Sequence, residues 1–241
     1  MSKQQDQKSV LAKLPLPVVL VLVAIYLVST FVFPAEKDYV PAEGTALEQL
    51  ETLEVKGRAP RTGYSRDEFG DGWLDPDGNG CDARNDILAR DLNDTTTRDD
   101  NCTVLSGVLA DPFTDSTIEF VRGPETSMAV QIDHVVALSD AWQKGAQQLT
   151  SEQRERFAND PLNLLAVDGS ANQQKSDGDA ATWLPPNRSF RCEFVAIQTA
   201  VKAKYELWIT QAEQAAIRDV LSECPTQPVY TTEDELPVLR R

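Results

Sequence analysis

The sequence predicts an α+β fold with a small, mainly antiparallel sheet packed by several helices. Two observations carry that expectation. Three runs in the middle of the chain alternate apolar and polar residues at the strand period and are separated by short turn-rich links. The last third of the chain instead repeats its apolar residues at the helical period. A length of 241 residues, 41% hydrophobic and 25% charged, allows one sizeable domain or two small ones and argues against general disorder.

The N-terminus departs from that balance. Lys3, Lys8 and Lys13 precede "LPLPVVLVLVAIYLVSTFVF", residues 14–33, which carry no charged side chain. Such a stretch is long enough to span a bilayer core as a helix. A signal peptide is the alternative, but "PAEKDYVPAEG" offers only a poor small-x-small cleavage site ending at Ala35. An uncleaved transmembrane anchor is therefore expected, with residues 1–13 cytoplasmic and the rest exported; secretion after signal cleavage is the second reading. The part after residue 33 keeps 20 basic against 37 acidic side chains, a net of about −17. That charge favours solubility and repels polyanions at long range.

Residues 34–60 are rich in Pro, Glu and Ala and read as a stalk, with "ALEQLETLEV" able to form a helical turn or more. The folded domain is expected over 61–224. Beyond it, 225–241 carry three prolines and no helical period, which reads as a flexible tail. Within the domain, "RNDILARDL" has helical spacing, with Ile87, Leu88 and Leu92 on one side. "TVLSGVLADP" and "STIEFVRG" read as strands joined by "DPFTDS", and "SMAVQIDHVVAL" as a strand ending near His134. Helices at about 139–146 and 151–158, a strand in "NLLAVD", a helix opening at "SANQQK" and two longer helices after Ser189 complete the pattern. Cys81, Cys102, Cys192 and Cys224 all fall on the exported side. They read as two disulfides, and of three connectivities the sequence-local pairs 81–102 and 192–224 are expected. A four-cysteine zinc site would need closely spaced pairs that are absent here.

His134 is the sole histidine. Alone, a histidine in an apolar strand is more often structural than catalytic. Here Asp133 precedes it, Asn163 lies in "DPLNLLAVD" and Asn172 in "GSANQQKSDGD", so a strand, a second strand and a helix gather four polar residues. This order resembles the ββα-metal site of HNH endonucleases. "VQIDHVVALSDAWQKGAQQL", "RERFANDPLNLLAVDGSANQQKSDGDAATWLPPN" and "RCEFVAIQTAVKAKYEL" are similar to the exported HNH-type domains of the DUF1524 group found in actinobacteria, and "GYSRDEFGDGWLDPDGNGCDARNDILARDL" extends the resemblance to about residues 60–224.

The resemblance implies metal-dependent hydrolysis of phosphodiester bonds in DNA, with RNA a further option. Such chemistry needs a nucleophilic water, charge neutralisation at the phosphoryl centre and help for the departing oxygen. His134, near its ordinary pKa, is the expected general base. Asp133 and Asn172 supply hard oxygens for Mg²⁺ or Mn²⁺, and Asn163 supports the loop and the histidine. Taken singly, Asp133, Asn163 and Asn172 also suit turn or capping roles. Lys175, Arg84, Arg188 and Arg191 are candidate phosphate contacts, and Arg188, Arg191, Lys202 and Lys204 outline a modestly basic path. A solvated face explains Lys175 as well, and a surface salt bridge explains Arg84. Trp183 reads as a packing plug rather than a base-stacking platform. "DPDGNGCDARND" has the spacing of a calcium loop with Asp75, Asp77, Asn79 and Asp86 as ligands, although Ala83 stands at the ninth position and an ordinary Asx- and Gly-rich turn fits the same residues. The rival function is a non-catalytic exported binding module on the same frame; no protein partner is inferable.

Overall fold

The computed structural model describes residues 42–124 and 126–232, together with 18, 19 and 22. Most of the expected span 14–33, residues 1–13 expected to be cytoplasmic and the end of the expected tail lie outside the described residues. Among the described residues no helix is long and apolar enough to cross a membrane.

The expected mixture of helices and antiparallel strands is present, with the strands split into two sheets. Helix α2 (Ala83–Asp91) starts where the Asp82 side chain accepts the Asn85 backbone N–H, and it leads into β1 (Leu92–Thr97), a strand that sequence spacing did not single out. Strands β1, β2 (Val104–Ala110) and β3 (Thr117–Val121) form an antiparallel sheet in that order. Strands β4 (Val130–His134) and β5 (Leu164–Asp168) form a separate antiparallel pair, with His134 opposite Leu164 and Asp133 opposite Leu165. Between them run α3 (Leu138–Gln143) and α4 (Ser151–Ala158), the latter opened by a reciprocal Thr150/Gln153 capping box. Helix α5 (Gly169–Lys175) follows β5 directly, capped by Asp168. A Cβ at Gly169 would lie 2.0 Å from the Met128 carbonyl oxygen, so only glycine allows this strand-to-helix junction to close against the turn before β4.

The β4–β5 pair is sandwiched between two cores. Val130, Ile132, Leu164 and Ala166 join Ile87, Leu88 and Phe120 in the smaller one. Leu165 and Val167, on the opposite face, join the larger core with Ala171 and with α6 (Arg191–Lys204) and α7 (Gln211–Ser222). Because side chains alternate along a strand, burial on both faces fixes the register of β4 and β5 and so the position of His134.

The folded unit extends past both expected ends. Helix α1 (Ala46–Thr52) buries Ala46, Leu47 and Leu50 in the larger core, so the segment expected as a stalk is partly structural. Val55 bridges to Ile209, and Thr45 to Pro228. Tyr230, in the expected tail, is buried in the same core. Both disulfides pair as expected, Cys81 with Cys102 and Cys192 with Cys224.

A buried ionic cluster joins α3, α6 and α7 to the segments that carry Arg58 and Asp179. The Lys144 Nζ stands 2.7 Å from Asp140, 2.8 Å from Asp179 and 2.5 Å from Glu213. The Lys202 ammonium reaches Glu213 at 3.0 Å and Asp140 at 3.3 Å, and Arg58 closes on Asp179 at 2.6 Å. Three carboxylates thus meet three cations, which removes the penalty of burying net charge. Deleting one charge leaves the others uncompensated, which typically costs about 3–5 kcal/mol. Glu213→Gln is therefore expected to lower the urea unfolding midpoint by an amount equivalent to about 3–5 kcal/mol; an unchanged midpoint would show that the cluster is not a stabilising constraint.

Candidate active site

The four residues picked out by their order in the sequence meet at one cleft or directly behind it. β4 ends at His134, and the ring is buried. Its Nε2 lies 2.8 Å from the Ala158 carbonyl oxygen at the end of α4. A carbonyl only accepts, so Nε2 carries the proton and Nδ1 holds the free lone pair. Trp73 stacks on the ring, with centroids 5.8 Å apart and planes 8° from parallel. Burial drives the His134 pKa down to about 3, and the nearby charges of Arg66 and Lys175 push the same way. The sequence reading, which kept this group near its ordinary value, did not include that desolvation.

Asp133 is buried beside it. Its Oδ1 accepts a hydrogen bond from the Lys175 Nζ at 2.9 Å, and the same ammonium donates to the His134 carbonyl at 2.8 Å. Asp133 Oδ2 has no hydrogen-bond partner among the described residues. Burial raises the Asp133 pKa, opposed by the positive charge of Lys175. On α5, one turn before Lys175, the Asn172 side-chain N–H donates to Gln131 Oε1 at 2.9 Å, leaving its carbonyl oxygen available. Asn163 is fully buried behind the site. Its Oδ1 accepts from the Val136 N–H at 2.8 Å, and its backbone carbonyl accepts from Val135 at 2.8 Å. It therefore fixes the turn that leaves His134.

The cleft has a volume of about 540 Å³ and is lined by Gln131, Asp133, His134, Ser139, Asn172 and Asp177 together with Arg61, Tyr64 and Arg66. A smaller cavity of about 160 Å³ lies on the other side of His134, against Phe69, Trp73 and Leu138. The unpartnered Asp133 Oδ2 and the Asn172 carbonyl oxygen are hard donors, a set that fits Mg²⁺ or Mn²⁺. Among the described residues no group of three or more His, Cys, Asp or Glu side chains could hold a metal ion. A cation here would complete its shell with water and phosphate oxygens, as Mg²⁺ commonly does.

The remaining candidates from the sequence lie in other environments. Lys175 is neither a phosphate contact nor solvated, because its aliphatic stem is buried and its ammonium is spent on Asp133. Lys202 belongs to the buried ionic cluster, and Lys204 pairs with Asp160 at 2.7 Å. Arg191 donates to the Pro185 carbonyl, Arg188 is exposed, and neither lines the cleft. A helix spreads residues 191 and 204 about 20 Å apart along its axis, so these cations form no continuous path. Arg84 is half-buried beside Arg122 and lies away from the cleft. Trp183 packs on Phe113 and Phe194, as a plug. In the calcium-like loop, Asp75 accepts backbone N–H groups from Gly78, Asn79 and Gly80, while the Asn79 amide bridges Asp77 and Asp86. These are the self-satisfied bonds of an Asx-rich turn.

The site residues not anticipated are Gln131, Ser139, Asp177 and the upstream Arg61, Arg66 and Trp73. Gln131 was accessible to reasoning, since it stands two residues before Asp133 and shares its strand face. The upstream residues reach the site only through tertiary packing.

Residues 82–220 match the family model described as GmrSD restriction endonucleases, C-terminal domain. The chain is also 36% identical over 187 residues, 77% of this chain and 87% of the relative, to a protein of Arthroderma benhamiae (strain ATCC MYA-4681 / CBS 112371) named "Uncharacterized secreted protein". No solved structure matches. The family match contains β4, β5, α5 and all four clustered polar residues. Since it spans more than half of the sequence, this chain belongs to the family of the C-terminal domain of GmrSD restriction endonucleases.

Proposed function

We propose that this protein is an exported, metal-dependent endonuclease of the ββα-metal (HNH) type, hydrolysing phosphodiester bonds of DNA, and of RNA where the cleft admits it. One observation carries the reading: a neutral histidine with a free Nδ1 lone pair shares a cleft with an unpartnered carboxylate oxygen and an amide carbonyl. Membership of a family named for restriction endonucleases supports nucleic acid as substrate. Two disulfides and a relative named as secreted support export.

In this mechanism His134 Nδ1 takes the proton of the attacking water. Burial keeps the ring neutral near pH 7, so the lone pair is present before substrate arrives. The Nε2–H bond to Ala158 fixes the tautomer and steadies the imidazolium as it forms. Trp73 and the Asn163-held turn keep the ring from rotating away. A bound Mg²⁺ or Mn²⁺ would neutralise charge developing on the phosphate and its leaving oxygen, with Asp133 and Asn172 holding it. Lys175 orients Asp133 through one oxygen and leaves the other for that role.

His134→Ala should abolish nicking of supercoiled plasmid, a loss on the order of 10²–10⁴-fold, and EDTA should stop the wild type. Cleavage by His134→Ala at the wild-type rate would remove the residue from its role, and a folded wild type that cuts nothing in Mg²⁺ or Mn²⁺ would favour a binding module. Burial of the neutral ring also makes a pH prediction. The folded pKa of His134 is depressed to about 3, so its contribution to stability is complete above the unfolded-state value near 6.5 and is lost as pH falls from there towards 3. Between pH 7 and 5 the wild type should lose about 2 kcal/mol more stability than His134→Asn, read from urea unfolding midpoints. Equal losses would show that the ring is solvated.

A further inference from the structure

We propose that Arg66 is a substrate-phosphate ligand, held over the cleft beside His134 by the segment that precedes the family domain. The inference rests on the nuclease reading and adds a residue that the family match does not cover, since that match begins at residue 82.

Arg66 lines both cavities that flank His134, the larger polar cleft and the smaller aromatic one. Its guanidinium makes no ion pair or hydrogen bond among the described residues. That sets it apart from the other cations around the site. Arg61 lies 3.7 Å from the Asp177 carboxylate and stacks on Tyr64, Lys175 is sealed against Asp133, and Arg58 is paired with Asp179. In a chain with 38 acidic and 23 basic residues, an uncompensated guanidinium at the mouth of a cleft is a place where a phosphodiester is attracted rather than repelled. Arginine's planar fork also matches two phosphate oxygens.

The segment that carries Arg66 is braced. Arg66 opens a 3-10 turn, Arg66–Phe69, and Phe69 is buried at the end of that turn. The Phe69 ring meets Tyr64, Trp142 and Phe157 at 5.8–6.4 Å. Arg154 donates from Nε to the Glu68 carbonyl at 2.7 Å and pairs with the Glu68 carboxylate at 3.0 Å. Further on, the Leu74 N–H donates to Asn159 Oδ1 at 2.8 Å. The backbone that follows Arg66 is therefore tied to α4 and its C-cap residue, and the exposed Arg66 side chain is free to close on a substrate. The same cleft is lined by Asp133 and Asn172, so a phosphate entering it meets both a cationic side chain and oxygen donors for a metal.

The test compares wild type, Arg66→Ala and Arg66→Lys in Mg²⁺ on linear DNA, and measures binding of the same DNA by each arginine variant in a His134→Ala background across a salt series. Arg66→Ala should lower kcat/KM by about 10–100-fold, Arg66→Lys should recover part of it, and the slope of log affinity against log salt should fall by about one phosphate contact. Unfolding midpoints should not move, because the side chain makes no ion pair or hydrogen bond among the described residues. Wild-type kcat/KM together with an unchanged salt slope in Arg66→Ala would overturn the proposal, as would no DNA binding by any variant. If wild type binds DNA without cutting it, the nuclease reading fails, while a reduced slope in Arg66→Ala still assigns the contact to Arg66.

Discussion

The buried ionic cluster is the constraint on which the geometry of the site depends. The β4–β5–α5 unit is short, and neither a two-stranded ladder nor a seven-residue helix is stable alone. Both segments that leave this unit feed the cluster. After β4 the chain turns into α3, which contributes Asp140 and is followed at once by Lys144; after α5 it reaches Asp179. α6 and α7 supply Lys202 and Glu213. Each of the six charges has an opposite charge within ion-pair distance, so a shift of any one element would leave a buried charge uncompensated. The exits from the site are thereby fixed in position.

Within the site the same logic operates at smaller scale. The Lys175 ammonium bonds both the Asp133 carboxylate and the His134 carbonyl, so a single side chain from α5 holds two successive residues of β4. Its charge also offsets the cost of keeping a buried carboxylate ionised. Burial still raises the Asp133 pKa, and of its two oxygens one is committed to Lys175 while the other has no hydrogen-bond partner among the described residues. Trp73 and Ala158 do the equivalent work for the imidazole, from elements distant in sequence.

Much of this was legible in the sequence where the determinants are local. The capped helix Ser151–Ala158, the strands around "TVLSGVLA" and "STIEF" and the helix after "LLAVD" follow from period and turn chemistry. So did the convergence of Asp133, His134, Asn163 and Asn172, because adjacent strands and the helix that follows them bring those residues together. What failed was burial. Lys175 and Lys202 look like solvated cations in a one-dimensional reading, and only the fold shows their carboxylate partners from residues 42 and 62 positions away. The depressed pKa of His134 is the same error in another form, since desolvation is a property of the packed interior. The amphipathic piece at 46–52 was read as stalk because nothing local reveals the groove between α6 and α7 that receives it.

The chain enters and leaves the fold side by side. Thr45 bridges Pro228, the Ala46 N–H donates to the Gln227 carbonyl at 2.9 Å, and Val229 donates to Gly44. Topologically the domain is a closed loop with a single gate. A chain attached at either end connects at the same point, so the domain can be hung from a tether, or inserted into a loop of another protein, without threading a linker across its surface. Tension applied through such a tether would first meet this short ladder rather than the β4–β5 pair that carries His134. The architecture thus keeps the two ends of the domain on a ladder of their own, distinct from the strands that form the cleft.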